Sequence, residues 1–536
     1  MTLNLQNIDE IVARALPEGG AGAAVAVRRN GETVFKKGYG AANVETGAPF
    51  TPDTAFRICS VSKQFTCLLA LLAEERGLLS FDDHPKRYLR DLSGLPEDVT
   101  LRHLATNQSG VKDYWCLAML AGAKAESRFR RADADHIVHR MAELDFSPGA
   151  RFAYSNTNFA ILGWVLETVF DAPYADILQR EIFAPLDMTS TFVGAVTSEP
   201  LPGGATGYEF NAEGDLTPAI VDIEWEGDAG IVSTLNDLLK WEANFEDNRI
   251  GPADLTARLT ADHAYGDGGN APYRYGVRAA VRNGVLGHSH TGALRGWRMM
   301  RLRAPEENTS VIVLFNHLTA PEKTTFAILD HVLQNKTQPV TGAPAPAPDG
   351  VAGRYFDAEA GLSALIEPSD NGLTLSCGGR TFSLRQTETN VFVAENDAAS
   401  VRVETGASPI LQFTAPSENV SATFRKSAPP SDMHPGDYVG AYTCRDFDSV
   451  MTITAAGAGL TVRFEGRLGA AAAIPLNPVD KDVFIFPCLR ALDQAPPGEF
   501  TIVFERNESG VVSQAVIGCW LARHTIFNRT DAPGGG

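Results

Sequence analysis

Between Lys336 and Gly350 the chain reads Lys-Thr-Gln-Pro-Val-Thr-Gly-Ala-Pro-Ala-Pro-Ala-Pro-Asp-Gly. Proline, alanine and glycine at this density offer no periodic apolar face, and the prolines hold the backbone extended, so residues 336–350 read as a stiff linker. The 536-residue chain is therefore not built around one core. Ser427-Ala-Pro-Pro-Ser-Asp-Met-His-Pro-Gly436 repeats the signal on a smaller scale and sets a second linker at 427–435. Three units follow: 1–335, 351–426 and 436–536.

The first unit mixes elements. Ala23-Ala-Val-Ala-Val, the turn Asn30-Gly31 and Thr33-Val-Phe-Lys-Lys form a hairpin signal. Helical patterns occupy 62–76, 134–143, 157–170, 173–181 and 234–246. Strand patterns return at 275–282, 296–303 and 309–316, before a last helical stretch at 321–335. Strands at both ends with helices between them predict an α+β fold: one antiparallel sheet closed by the N-terminal hairpin, packed against helices, with a helical insertion. The last two units instead show short alternating segments broken by turns such as Ser369-Asp-Asn-Gly372 and Asn507-Glu-Ser-Gly510, which predict two small antiparallel β-barrels. Both open alike, Val351-Ala-Gly-Arg-Tyr355 and Val439-Gly-Ala-Tyr442, as a duplicated module would.

Composition narrows the function. A net charge of −19 disfavours nucleic acid and anionic membranes as partners. No apolar run approaches the roughly 18 residues of a membrane span, and the first residues carry no basic-then-apolar secretory pattern, so the expected location is cytoplasmic. Seven scattered cysteines with no C-x-x-C pair argue against a disulfide framework and against zinc. Cys59 reads as a small apolar filler.

The chemistry is carried by Ser60-Val61-Ser62-Lys63 at the head of the apolar run Phe65–Ala73. The spacing places hydroxyl and amine one helical turn apart on one face. Burial of such a helix desolvates the amine and favours its neutral form, an activator for the serine. Phe152-Ala-Tyr154-Ser155-Asn156 precedes a second helix, where a tyrosine phenol in positive potential can shuttle protons and Asn156 can hold Lys63 or a substrate carbonyl. A core aromatic and a simple N-cap are the plainer readings of the pair. Gly287-His288-Ser289-His290-Thr291-Gly292-Ala293-Leu294-Arg295 enters a strand; Gly292 permits close backbone approach, the amide of Ala293 can join that of Ser60 around an oxyanion, and His290 is expected to turn its nitrogens into the cleft. The H-x-H pair has no neighbouring carboxylate or thiol of metal-ligand spacing, so no metal and no cofactor is expected.

S-x-x-K, Y-S-N and H-T-G in this order resemble the penicillin-recognising serine hydrolases, the family of class C β-lactamases, DD-peptidases and related esterases. Asn107-Gln-Ser-Gly110 and Gly227-Asp-Ala-Gly-Ile231 extend the resemblance over 15–335. His290 departs from the K-T-G of most members. Ile58-Cys-Ser-Val-Ser-Lys-Gln-Phe-Thr66, Gly292-Ala-Leu-Arg-Gly-Trp-Arg298 and Gly518-Cys-Trp-Leu-Ala-Arg523, with two trailing barrels, resemble the D-stereospecific aminopeptidase branch over nearly the whole chain. That resemblance implies removal of N-terminal D-residues from peptides, amides and esters through an acyl-enzyme, a homodimer, no metal, and sensitivity to β-lactams. It also implies that a loop of the last barrel enters the active site, here Leu489-Arg490-Ala491-Leu492-Asp493-Gln494-Ala495-Pro496-Pro497-Gly498-Glu499, with Asp493 meeting the substrate ammonium. Asp228 is a second candidate anion, and Gly292 and Arg295 are candidate substrate contacts. An esterase, DD-peptidase or β-lactamase of the same family, or a non-catalytic sensor of peptidoglycan fragments, stands as the alternative.

Overall fold

The computed structural model describes residues 5–92, 94–141, 143–334, 350–369, 372–394, 399–404, 406, 408–415, 420–428, 430, 433–457, 459–487 and 498–530. The expected linker 336–350 lies outside them except for Gly350, and so do residues 489–497 of the expected active-site loop, Asp493 included.

The hairpin forms from β1 (Ala23–Arg29) and β2 (Glu32–Tyr39). It joins β3 (Arg278–Arg282), β4 (Val285–Leu294), β5 (Trp297–Ala304) and β6 (Thr309–Phe315) in one antiparallel sheet of order β3-β4-β5-β6-β1-β2. The two ends of the first unit meet where Val25 of β1 faces Val313 of β6. Of the expected strand 275–282 only the last five residues pair as β3.

Strand alternation divides the side chains between two layers. Val25, Val27, Val311 and Val313 pack with Ile8 and Val12 of α1 (Leu5–Ala13) and with the C-terminal helix of this unit. Ala24, Ala26, Ile312 and Leu314 face the opposite layer, which holds the main core and α2 (Ser62–Glu75), α3 (Tyr114–Leu120), α4 (Arg131–Arg140) and α5 (Asn156–Phe170), with α6 (Leu235–Asp247) also lying on β1. The C-terminal helix is α7 (Pro321–Leu333). Helix α2 is buried from Ser62 to Ala73. From Cys67 to Ala73 its sequence is apolar all round because that stretch has no solvent face.

The first barrel closes eight antiparallel strands between Gly353 and Lys426, with Tyr355 of the first strand opposite Lys426 of the last. The second closes eight strands between Gly440 and Arg529, Tyr442 facing Arg529, and carries a short added strand at Gly469–Ala470. The shared opening has a structural counterpart: Tyr355 donates to the carbonyl of Val351 at 2.7 Å, and Tyr442 to that of Tyr438 at 2.8 Å. Each phenol reaches back four residues and ties down the entry of its barrel.

The two barrels differ in attachment. The first has its own apolar cluster, into which the second inserts Trp520. The second shares one continuous cluster with the N-terminal core, running through Phe464, Phe486 and Phe500 to Leu117 and Leu120 of α3. Backbone bonds cross the same seam, from Asp113 N to Leu521 O at 3.1 Å and from Leu468 N to Ala121 O at 3.2 Å.

Between sheet and α6 lies a fully buried ion pair. Arg301 on β5 donates through Nε and Nη2 to Glu242, the latter at 3.0 Å, and the Ser310 hydroxyl donates to the same carboxylate at 2.8 Å. Removing one partner strands the other charge in the core, whereas replacing both with apolar groups does not. Glu242→Ala is expected to destabilise the protein by about 3–5 kcal/mol and a Glu242→Leu/Arg301→Met double variant to recover most of the loss, read by chemical denaturation. Equal loss in single and double variants would contradict this account.

Candidate active site

Ser60 sits in a 3-10 turn, Cys59–Val61, that leads directly into α2. Ser60 therefore lies in the turn ahead of the helix that carries Lys63, and the two side chains still meet on one face, as expected, at 3.0 Å. The turn is reached through Cys59, whose φ of 49° lies in the left-handed region. A non-glycine residue there costs about 1–3 kcal/mol and persists only when the surroundings impose it. Here Phe56 and Arg57 pair with Ser233 and Val232, the Ile58 amide donates to Ile231 O at 3.0 Å, and the buried Arg57 guanidinium gathers the carbonyls of Gly194, Val196 and Glu199. Cys59 itself is buried, as an apolar filler would be.

Lys63 is fully buried at 0% exposure. Its Nζ stands 3.0 Å from Ser60 Oγ, 2.8 Å from Asn156 Oδ1 and 2.7 Å from the carbonyl of Asp228. The last two are acceptors only. A neutral amine has two N–H groups, which these acceptors consume, leaving its lone pair directed at the third neighbour, the Ser60 hydroxyl. A charged lysine in the same position donates to all three. The site can thus hold either end state of a proton transfer from Ser60 without rearrangement.

Asn156 is the first residue of α5 and not its N-cap, which is Ser155. The preceding Tyr154 is half-buried, its ring centroid 5.0 Å from Lys63 Nζ and 6.1 Å from that of His290. Asn107, itself at φ 55°, supports this segment: its Oδ1 accepts from Ser155 N and Asn158 Nδ2, both at 3.0 Å, and its carbonyl from Ala153 N at 3.0 Å. The N-Q-S-G and Y-S-N strings are thus two layers of one scaffold.

His290 is buried, and both its nitrogens are occupied. Nδ1 lies 2.6 Å from the Thr291 carbonyl and Nε2 lies 2.8 Å from the Tyr273 hydroxyl. The carbonyl can only accept, so Nδ1 carries the proton and Nε2 accepts from the phenol. Burial, then the Lys63 charge, push the imidazole down to about 3, while burial holds the Tyr273 phenol well above its ordinary value. His290 is neutral, and its nitrogens do not project into the cleft as expected from the sequence.

Gly292 explains how β4 meets the serine turn. A Cβ there would lie 2.4 Å from the Ile58 carbonyl and 2.8 Å from Met299 Cγ. Strand β3 pairs with β4 only as far as Ser289, so residues 290–294 present an edge that β3 does not cover, beside the Ser60 turn. This is the edge that carries Ala293.

Two other candidates are placed differently from expectation. Asp228 is sealed at 0% exposure; its Oδ2 accepts from Tyr114 at 2.8 Å, and burial raises its carboxyl to about 6. It backs the lysine through its carbonyl and does not offer its carboxylate to the cleft. Arg295 is engaged by Glu209 at 2.7 Å, Glu126 at 3.2 Å and the Ala125 carbonyl at 3.0 Å, so it ties the end of β4 to neighbouring loops. Asp113 and Tyr273 were missed. Asp113 follows the N-Q-S-G string by three residues and could have been flagged by that proximity; nothing in the sequence marks Tyr273.

Gly292→Ala is expected to force β4 away from the serine turn and to cut labelling of Ser60 by a fluorophosphonate by about 100-fold, since ångström misplacements cost that much. Labelling at the unaltered rate in the folded variant would contradict the close-approach argument.

Comparison with known proteins accords with this architecture. A family model described as Beta-lactamase matches residues 8–334, and one described as D-aminopeptidase, domain B, matches residues 345–528. The D-aminopeptidase of Gluconobacter oxydans (strain 621H) is 36% identical over 535 residues, covering 97% of this chain and 98% of the relative. That of Brucella anthropi is 32% identical over 525 residues, covering 97% and 98%. Among solved structures, the octameric penicillin-binding protein homologue from Pyrococcus abyssi has a TM-score of 0.56 at 22% identity, covering 79% of this chain and 100% of its own. The D-amino acid amidase from Ochrobactrum anthropi SV3 complexed with L-phenylalanine amide has a TM-score of 0.50 at 23% identity, covering 62% and 97%. The structures share the fold, and the sequence matches run through the serine turn, the β4 edge and both barrels alike: the chain belongs to the β-lactamase family and, within it, to the D-aminopeptidases.

Proposed function

We propose that the protein is a serine aminopeptidase that removes N-terminal D-residues from peptides, amides and esters. The observation that carries the reading is the buried Lys63 amine held between two fixed acceptors and Ser60 Oγ, in a chain whose named relatives match it from end to end. Ser60 Oγ attacks the carbonyl carbon of the N-terminal residue as its proton passes to Lys63. The amides of Ser60 and Ala293 hold the oxygen that becomes negative. Collapse breaks the C–N bond, the departing amine takes a proton by way of Tyr154, and an ester to Ser60 remains. Water, deprotonated by the same Lys63 and Tyr154 pair, hydrolyses that ester and frees the D-amino acid.

His290 acts by position. With both nitrogens occupied it transfers no proton, and its neutrality leaves the cleft without the cation that a K-T-G lysine supplies. Such a cleft suits a substrate ammonium better than a terminal carboxylate. Asp493 is the proposed partner of that ammonium, on a loop that closes the pocket behind it, with Gly292 lining the approach; the two sealed groups, Asp228 and Arg295, support the site from behind.

We further propose a cytoplasmic homodimer whose serine is acylated by β-lactams, organised as a catalytic unit and two barrel units with boundaries near 335–351 and 427–436. The six described cysteines are all buried and none forms a disulfide among the described residues, which suits a reducing compartment. Phe210 and Ile220 are 51% and 65% exposed and offer apolar surface for association. Among the described residues no helix is long and apolar enough to cross a membrane.

Comparison of D-alanine p-nitroanilide with its N-acetyl form tests the substrate assignment. Acetylation is expected to lower kcat/KM by about 100-fold or more, as loss of a buried charged contact does; an unchanged value would sink the ammonium argument and favour an esterase or peptidase of broader type. Ser60→Ala is expected to abolish turnover. The imidazole, held down to about 3, keeps one charge state from pH 5 to 8. His290→Gln should therefore scale the pH–rate profile without moving its acidic limb by more than about 0.5 unit. A larger displacement would show that His290 titrates in the mechanism.

A further inference from the structure

Asp113 is a buried carboxylate that the mechanism above does not use. It caps α3 by accepting from the Trp115 amide at 2.9 Å through Oδ1. Its Oδ2 accepts twice from one residue: from the Asn156 backbone amide at 2.7 Å and from Asn156 Nδ2 at 2.8 Å. An asparagine side chain can present either its oxygen or its nitrogen to a neighbour, and the two ends have almost the same shape. In this site the choice matters, because the end of Asn156 that meets Lys63 decides whether the lysine donates there or is repelled. A carboxylate only accepts. By taking the Nδ2 hydrogen, Asp113 leaves Oδ1 as the end that faces Lys63 Nζ.

The segment carrying Asp113 is itself held from two sides. On one, the Thr157 hydroxyl donates to the Lys112 carbonyl and accepts from the Tyr114 amide, both at 2.8 Å. On the other, the Asp113 amide donates to the carbonyl of Leu521, in the turn between the last two strands of the second barrel, at 3.1 Å. That turn is flanked by Trp520, which sits over Gly378 of the first barrel, and by Arg523, whose amide donates to Asp145 at 2.8 Å. A chain of direct bonds therefore joins the second barrel to the catalytic amine: Leu521, Asp113, Asn156, Lys63.

We propose that Asp113 is a positioning residue that fixes the amide of Asn156 with its oxygen toward Lys63, and that the second barrel, through Leu521, holds Asp113 in the place where it can do so. The barrel is thereby part of the proton-transfer apparatus, apart from any role of its loop in substrate selection. In Asp113→Asn the single oxygen can satisfy the cap or the Asn156 groups but not both, and the new amide donor opposes the Asn156 donors. The Asn156 side chain is then free to turn its nitrogen toward Lys63, which removes one of the two acceptors that aim the amine at Ser60.

The proposal rests on the reading of Ser60 and Lys63 as nucleophile and base but not on the choice of substrate, so the test uses a fluorophosphonate and a β-lactam, neither of which carries the substrate ammonium. In the full-length chain, rate constants for phosphonylation by the first reagent and acylation by the second are measured at saturating reagent, per titrated site, alongside the reagent's binding constant and the thermal midpoint. Asp113→Asn is expected to lower the rate constant 10- to 100-fold with the binding constant changed less than threefold. Thr157→Val, which keeps the side-chain shape and loosens the same segment, should lower it three- to tenfold in the same way, and it carries the test if Asp113→Asn does not fold. A merely structural role would lower the thermal midpoint or the titratable fraction while the rate per site stayed at the wild-type value, and that outcome in either folded variant overturns the proposal. A loss residing wholly in the binding constant overturns it as well. Failure of the wild-type protein to be labelled at Ser60 would instead refute the nucleophile assignment beneath it.

Discussion

The structure turns on one buried amine. Lys63 lies in the middle of an apolar core, where an ammonium without partners would cost several kcal/mol, and the fold answers with two fixed acceptors and the serine. Each acceptor is the end of a longer arrangement. The Asp228 carbonyl belongs to the G-D-A-G-I segment, whose preceding carbonyl, that of Gly227, accepts from Thr66 of α2 at 2.6 Å. Asn156 opens α5 and is held by Asp113. The sheet contributes the third side, bringing the β4 edge against the Ser60 turn at the one position, Gly292, where no side chain would fit.

This dependence explains why the polar groups around the site are so deeply placed. Asp113, Asp228 and Tyr273 are all buried, and burial pushes each of the three up from its ordinary range. Asp113 accepts through both oxygens, Asp228 accepts from Tyr114 through Oδ2 and Tyr273 donates to His290, so they define directions for the groups that react. His290 belongs with them. Its imidazole is locked between Tyr273 and the Thr291 carbonyl, and its contribution to the cleft is shape without charge.

Much of the fold was legible because it rests on local pattern. The hairpin at Asn30-Gly31, the apolar run of α2 and the alternating segments of the barrels each carry their own period, and the two tyrosine-led barrel entries even display their kinship as the same reach-back bond. Ser60 and Lys63 were legible for the same reason, being three residues apart. What could not be read was depth and company. Asp228 looks like a loop acid until the core closes over it, and Arg295 looks like a substrate contact until Glu209 and Glu126 are brought to it from distant segments. The lock on His290 comes from Tyr273, on a neighbouring segment without a motif. The hold on Asn156 comes from Asp113, and behind it from Leu521, some four hundred residues away in sequence.

The central claim is that Ser60, held against the buried Lys63 amine, becomes covalently acylated by the N-terminal residue it releases. Rapid acid quenching of the protein during turnover of D-alanine methyl ester, followed by intact-mass and peptide mass spectrometry, reads that intermediate directly. The account predicts one alanyl group per chain, on the peptide that contains Ser60, formed from the D-ester and not from its L-enantiomer. Turnover of the D-ester with no adduct at Ser60, or with the adduct on another residue, would contradict it.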